Sequence, residues 1–84
     1  MKDNKVNVDL IVPSLGEKFN VFLPVNKTVG EIILILNNTL NDLTGYFPIN
    51  KSLSILDVLE NRIYDFNIEL INTGIKNGSI LALI

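Results

Sequence analysis

The stretch that most constrains this chain is "TVGEIILILNNTL", which sets a helix start directly ahead of an unbroken apolar run from Ile32 to Leu36. Thr28 and Glu31 form an S/T-x-x-E capping box. The Thr28 hydroxyl can accept from the Glu31 amide, while the Glu31 carboxylate reaches back to the Thr28 amide. Val29, Ile32, Ile33, Leu36 and Leu40 then recur at helical spacing and make one stripe for a core. Leu34 and Ile35 fall off the centre of that stripe. They are expected to pack on its flanks, with a second contact patch as the alternative. The Asn-rich segment "NNTLNDLTG" ends the helix, with Gly45 as the stop.

What that stripe packs on is written on either side of it. "KVNVDLIV" alternates Val6, Val8 and Leu10 against Asn7 and Asp9, the period of a half-buried strand. "PSLGEK" carries turn residues in Pro13, Ser14 and Gly16. "FNVFLPV" alternates again, with Phe19, Val21 and Leu23 on one face and Phe22 on the other. The two runs are close enough to form an antiparallel hairpin. After the helix, "GYFPINKS" is a loop around Pro48, where Tyr46 and Phe47 either cover the open end of the core or form a docking loop.

"LSILDVL" follows as a strand whose two alternations are both apolar. Placing Asp57 in water turns Leu56 and Val58 inward. "ENR" makes a tight turn into a short strand, "IYDF". "NIELINTGIKNG" reads as a helical turn and a bend with Gly74 and Asn77-Gly78 as punctuation. "SILALI" is a strand at the end of the sequence. A helix between the hairpin and this strand supplies the crossover that parallel neighbours require. The last strand is therefore expected beside the first and parallel to it. Val6, Val8, Leu10, Phe19, Val21, Leu23, Val29, Ile32, Leu36, Leu81 and Leu83 are the expected core. The fold class is α+β: a β-grasp, with a mixed four- to five-stranded sheet packed on one main helix.

Composition bounds the function more than it suggests one. Residues 1–84 make one domain, and a domain of this size buries only about 60–65% of its unfolded surface. Hydrophobic residues at 48% with 19% charged exclude intrinsic disorder. A mean hydropathy of +0.37 leaves apolar surface looking for a partner. With neither cysteine nor histidine, thiolate metal sites and the commonest general base are absent. The net charge of −2, spread along the chain, gives no footprint for nucleic acid. No apolar run approaches the length of a membrane span, and the N-terminal residues lack a signal-peptide core, so the expected address is the cytoplasm. Asp57, Asp65 and Glu69 read as scattered surface acids, and Gly74 and Gly78 as bends with no phosphate cradle. No cofactor and no catalysis are expected.

Over nearly its whole length the chain resembles a ubiquitin-like protein. The resemblance is carried by the hairpin running into Pro24, by "TVGEI" opening the helix, and by "LINTGIKNGSILALI", a turn and polar bend feeding the final strand. Within that superfamily "GIKNGSILALI" is most similar to the YukD/EsaB group, small proteins encoded with the type VII secretion machinery of Gram-positive bacteria. Conjugated relatives end in a flexible diglycine tail, whereas this sequence ends in Leu83-Ile84 within the expected strand. The resemblance therefore implies a non-conjugating accessory protein that acts by binding a secretion component. The alternatives are a free-standing regulatory or adaptor domain of another system, and a covalent modifier or sulfur carrier.

The last strand points to the surface used. If Leu81 and Leu83 face the helix, then Ile80, Ala82 and Ile84 face the other side of the sheet. Ile11 and Phe22 join them there, with Ile55 or Leu59 as possible additions. In ubiquitin-like proteins this outer face is the familiar recognition surface. Ile11, Phe22, Ile80, Ala82 and Ile84 are thus the candidate protein-binding residues. They are set against the plainer reading that scattered exposed apolar residues are normal. The expected partners are a secretion component or a second copy of the chain.

Overall fold

A computed structural model describes residues 4–48 and 53–84. The expected loop over 45–52 is therefore visible only to Pro48, and residues 49–52 lie outside the described residues. Five strands and one long helix follow in the order β1 (Lys5–Val12), β2 (Glu17–Pro24), α1 (Val29–Thr44), β3 (Ile55–Asp57), β4 (Arg62–Ile63) and β5 (Ile80–Leu83). One sheet holds all five strands in the order β2-β1-β5-β3-β4. β1 and β2 are antiparallel, β1 and β5 parallel, and β3 antiparallel to both β5 and β4.

The hairpin turns through a short 3-10 segment, Pro13–Leu15, closed by Gly16 in the left-handed region at φ 65. Side chains at Val8, Leu10, Val12 and Leu23 point to the helix side and are buried, with Val6, Phe19 and Val21 half-buried against them. α1 lays Val29, Ile32, Ile33, Leu36 and Leu40 into the same core. Leu81 and Leu83 of β5 are buried there as well, so the register expected for the last strand holds. Phe47 closes the open end of the core, while Tyr46 next to it is exposed.

Both ends of α1 carry the expected chemistry. Glu31 N–H donates to the Thr28 hydroxyl at 3.1 Å, and Thr28 N–H donates to the Glu31 carboxylate at 2.8 Å. These bonds from Thr28 hold the Glu31 carboxyl below its usual range. Gly45 takes φ 79 and donates back to Asn41 C=O at 2.6 Å. The two helix N–H groups that the box leaves over find partners in the turn before the last strand. Val29 N–H donates to Ile68 C=O at 2.9 Å and Gly30 N–H to Phe66 C=O at 3.0 Å. The first-turn donors of a helix have no partner within it, so this docking satisfies them. It also explains the glycine in "TVGEI". A Cβ on Gly30 would stand 3.3 Å from both Cβ and C=O of Phe66.

Three expectations fail. First, β3 has the opposite facing. Ile55 and Asp57 point to the helix side and are buried, Leu56 points outward, and Val58 is exposed in the turn that follows. Asp57 tolerates burial, at 2% exposure, because its carboxylate accepts from Glu60 N–H at 3.3 Å and from the Tyr64 hydroxyl at 3.4 Å. Second, β4 is only Arg62–Ile63, since Tyr64 turns in toward Asp57 and the chain leaves the sheet. Third, Leu34 and Ile35 do not pack on the helix flanks; they are 58% and 45% exposed. The core stripe already reaches its neighbours through Ile32, Ile33 and Leu36, which leaves the opposite side of the helix to solvent.

Truncating Ile32 to Ala is expected to lower stability by about 2–5 kcal/mol in urea unfolding, because a fully buried side chain leaves a cavity. Gly30→Ala should also lower stability. In an open helix the same change would gain about 1 kcal/mol. The Phe66 carbonyl is held by Gly30 N–H and cannot retreat without losing that bond.

Candidate protein-binding face

The helix covers one side of the sheet, so the side-chain alternation of every strand assigns a partner set to the opposite side. The registers place those outer residues in rows. Lys18, Ile11, Ala82, Leu56 and Ile63 lie across the sheet from β2 to β4. The next row holds Asn20, Asp9 and Ile80, and Val58 joins it by donating its N–H to Ile80 C=O at 2.9 Å. On the other flank, Ile84 pairs with Ser54 through two backbone bonds of 2.7 and 2.9 Å. The backbone of Ile84 therefore extends the ladder beyond β5.

These rows bring four of the five candidate residues together. Ile11, Ile80, Ala82 and Ile84 share one apolar area, which Leu56 and Ile63 extend toward β4. Ala82 is at its centre, yet only 7% of it is exposed, so it acts as a floor and not as a contact. The larger side chains around it present the surface. Phe22 stands apart. It is on the outer face and 62% exposed, but its neighbour on β1 is Asn7. From Ile80 it is two strand spacings away, about 10 Å, and one row along.

A polar cluster fills that gap. Asn7 Nδ2 donates to Asn20 Oδ1 at 2.8 Å, and Asn20 Nδ2 donates to Asn7 Oδ1 at 3.1 Å. Asn20 Nδ2 also lies 3.1 Å from Asp9 Oδ1. Asn7 N–H is taken by Asn77 Oδ1 at 2.8 Å, which ties the cluster to the bend before β5. The outer face is thus divided into an apolar half on β5, β3 and β4, joined by Ile11 of β1, and a hydrogen-bonded half made by Asn7, Asp9 and Asn20.

Of the two further additions, Ile55 belongs to the core, and Leu59 sits exposed in the turn after β3. Leu56, Ile63 and Val58 were missed, the first and last because the facing of β3 was reversed. One signal for the true facing was available. Asp at the first position of a four-residue turn is favoured, and Asp57 to Glu60 is such a turn. Among the described residues no three acidic side chains converge as a metal site, and no helix is long and apolar enough to cross a membrane.

No known family profile matches the chain, and no curated protein matches it by sequence. Solved structures do, 131 chains in all, so the fold is widespread and by itself decides no function. One match is the solution structure of the ubiquitin-like domain of Arabidopsis thaliana protein At2g32350, with a TM-score of 0.66 at 20% identity, covering 98% of this chain and 78% of that one. The fold is a ubiquitin-like β-grasp. Two further matches are chains of ESX complexes. A chain of the MycP5-free ESX-5 inner membrane complex superposes with a TM-score of 0.67 at 18% identity, and a chain of the ESX-3 core complex with 0.66 at 20%. They cover 98% and 95% of this chain, but this chain spans only 21% and 16% of theirs. Likeness at such identity speaks for the ubiquitin-like fold alone.

Replacing Asp57 by Ala should cost about 1–3 kcal/mol, since Glu60 N–H and the Tyr64 hydroxyl lose their acceptor in a buried place. A smaller cost in denaturant titration would mean that the carboxylate is dispensable to the turn.

Proposed function

We propose that this ubiquitin-like protein is a non-conjugating accessory component of a type VII secretion system, and that it acts by binding a secretion protein, not by catalysis. The observation that carries the binding part is the continuous apolar area of Ile11, Ile80, Leu56, Ile63 and Ile84 on a sheet face with no second layer among the described residues. Such an area, a few hundred Å², is at the upper range for monomers. A specific interface takes about 800 Å² from each partner, so the apolar half would be its centre and the Asn7–Asn20–Asp9 cluster part of its polar rim. The secretion part is supported by the similarity of "GIKNGSILALI" to the YukD/EsaB group and by the ESX chains among the structural relatives. The work would be done in the cytoplasm, with no cofactor and no nucleic acid.

The partner is sought among the secretion proteins encoded beside this chain, whose presence or absence separates this reading from a regulatory domain of another system. Ile63→Asp is the informative variant, because Ile63 is exposed on the outer face and outside the core. It should leave the unfolding midpoint nearly unchanged while weakening binding to the purified cytoplasmic part of the secretion partner by about tenfold or more in calorimetry. Unchanged affinity would remove the face from the mechanism. An ATP-dependent mass adduct in lysate would overturn the non-conjugating assignment.

A further inference from the structure

The free edge of the sheet at β2 carries a second surface, of a different kind from the apolar face. β2 is eight residues long, lies at one end of the strand order and, among the described residues, pairs only with β1. Which of its backbone groups face outward follows from one bond. Val25 N–H donates to Asn4 C=O at 2.9 Å, so Leu23, Val21, Phe19 and Glu17 also direct their N–H and C=O groups toward β1. β1 obeys the same parity, since Asp9 N–H goes to Ser79 and Asn7 C=O accepts from Gly78 on its other side. The N–H and C=O groups of Lys18, Asn20 and Phe22 therefore point away from the sheet.

We propose that this edge pairs antiparallel with the same edge of a second copy of the chain, joining two sheets into one. The sequence of β2 makes the pairing self-complementary in one register. With Asn20 on the two-fold axis, Lys18 of one copy faces Phe22 of the other. Every outward N–H and C=O of Lys18, Asn20 and Phe22 then finds a partner. On the outer face the Lys18 stem and ammonium cover the exposed Phe22 ring of the neighbour, a favourable cation–aromatic contact. On the helix side the half-buried Phe19 meets Val21 of the neighbour, and the two small cores become continuous.

Pro24 closes the neighbouring register on one side. It has no N–H, so a shift that brings Pro24 opposite Lys18 leaves the Lys18 carbonyl without a donor. Lys18 and Pro24 are the residue types that blunt sheet edges, and here they bound the pairing segment at its two ends. The net charge of −2 offers little repulsion between copies. The area fixes the strength. A strand of this length is about 27 Å long and a sheet layer about 10 Å deep, giving roughly 300 Å² per copy. That is less than half of a standard interface, so the dimer is weak and concentration-dependent. It does not depend on the secretion partner, and it leaves the apolar half of the outer face open on both copies.

Amide hydrogen exchange on the whole chain, at micromolar and near-millimolar concentration, tests this directly. Sedimentation should show a dimer at the higher concentration. There the amides of Lys18, Asn20 and Phe22 should slow by about tenfold or more, while Phe19, Val21 and Leu23 are protected at both concentrations. Asn20→Pro removes an outward N–H and no backbone bond to β1, and Asn20→Ala loses the same side-chain bonds to Asn7, Val8 and Asp9 but keeps that N–H. The proline variant should dimerise about tenfold or more weakly than the alanine variant, with the far-ultraviolet spectrum retained in both. Ile63→Asp should leave dimerisation unchanged, which separates this edge from the apolar face. A monomer at every concentration overturns the proposal. So does a dimer in which the three edge amides exchange as before, or edge protection that requires an added extended apolar peptide.

Discussion

The parallel pairing of β1 with β5 is the constraint on which the rest of the structure depends. Asp9, Leu10 and Ile11 lie opposite Ile80, Leu81 and Ala82, so segments about seventy residues apart share one ladder. Parallel neighbours need a long crossover, and α1 is that crossover. Once the helix lies on one side, Leu10 and Leu81 must face it, and Ile11 and Ala82 must face away. A shift of one residue at this ladder would exchange the two sets and drive Asp9 into the core. The hairpin and the short strands β3 and β4 then add to the two open sides of this central pair. Because the pair closes a long loop before it gains any contact, it is also the step that should limit folding speed.

The crossover is fixed in turn by an interaction outside the sheet. The N-terminus of α1 is seated in the turn at residues 66–70, with Val29 and Gly30 donating to Ile68 and Phe66 and with Leu70 N–H returning to Lys27 C=O at 2.9 Å. This seat holds the helix where Ile32 and Leu36 join Leu10 and Leu81 in one buried core. It also draws Leu70 into the core and leaves Ile71 exposed beside it. The capping box and the glycine are thus parts of one joint, in which the box satisfies the helix internally and the glycine lets the turn approach.

Much of this was legible in the sequence where one periodicity stood alone. The hairpin, the capped helix and "SILALI" each carry a clean signal, and their facings and pairings followed. β3 did not, because Leu53, Ile55 and Val58, Leu56 offer apolar residues in either phase. The deciding residue, Asp57, is satisfied by Glu60 N–H and by Tyr64, which becomes a neighbour only after the chain has turned. Gly30 gave no signal, since its reason lies thirty-six residues away at Phe66. For the candidate face, the side of the sheet was readable from alternation. Contiguity was not, because it depends on strand order and stagger. Alternation alone groups Phe22 with Ile80, whereas strand order separates them and brings Leu56 and Ile63 beside Ala82.

The exposed apolar side chains of this domain are therefore not one surplus. On β5, β3 and β4 they adjoin each other across strands, with the nearly covered Ala82 as their floor. On β2, Phe22 is isolated from them by amides that bond to one another and cannot be displaced without loss. Leu34 and Ile35 occupy a third place, on the solvent side of the helix, where Thr39 bonds back to Ile35 C=O at 2.9 Å and keeps its own hydroxyl occupied. Separation has a physical consequence. A continuous greasy surface over the whole sheet would attract any apolar partner and aggregate, whereas patches divided by satisfied polar groups can each be occupied without engaging the next. A small domain with limited core can in this way keep a high apolar content and still present separate faces.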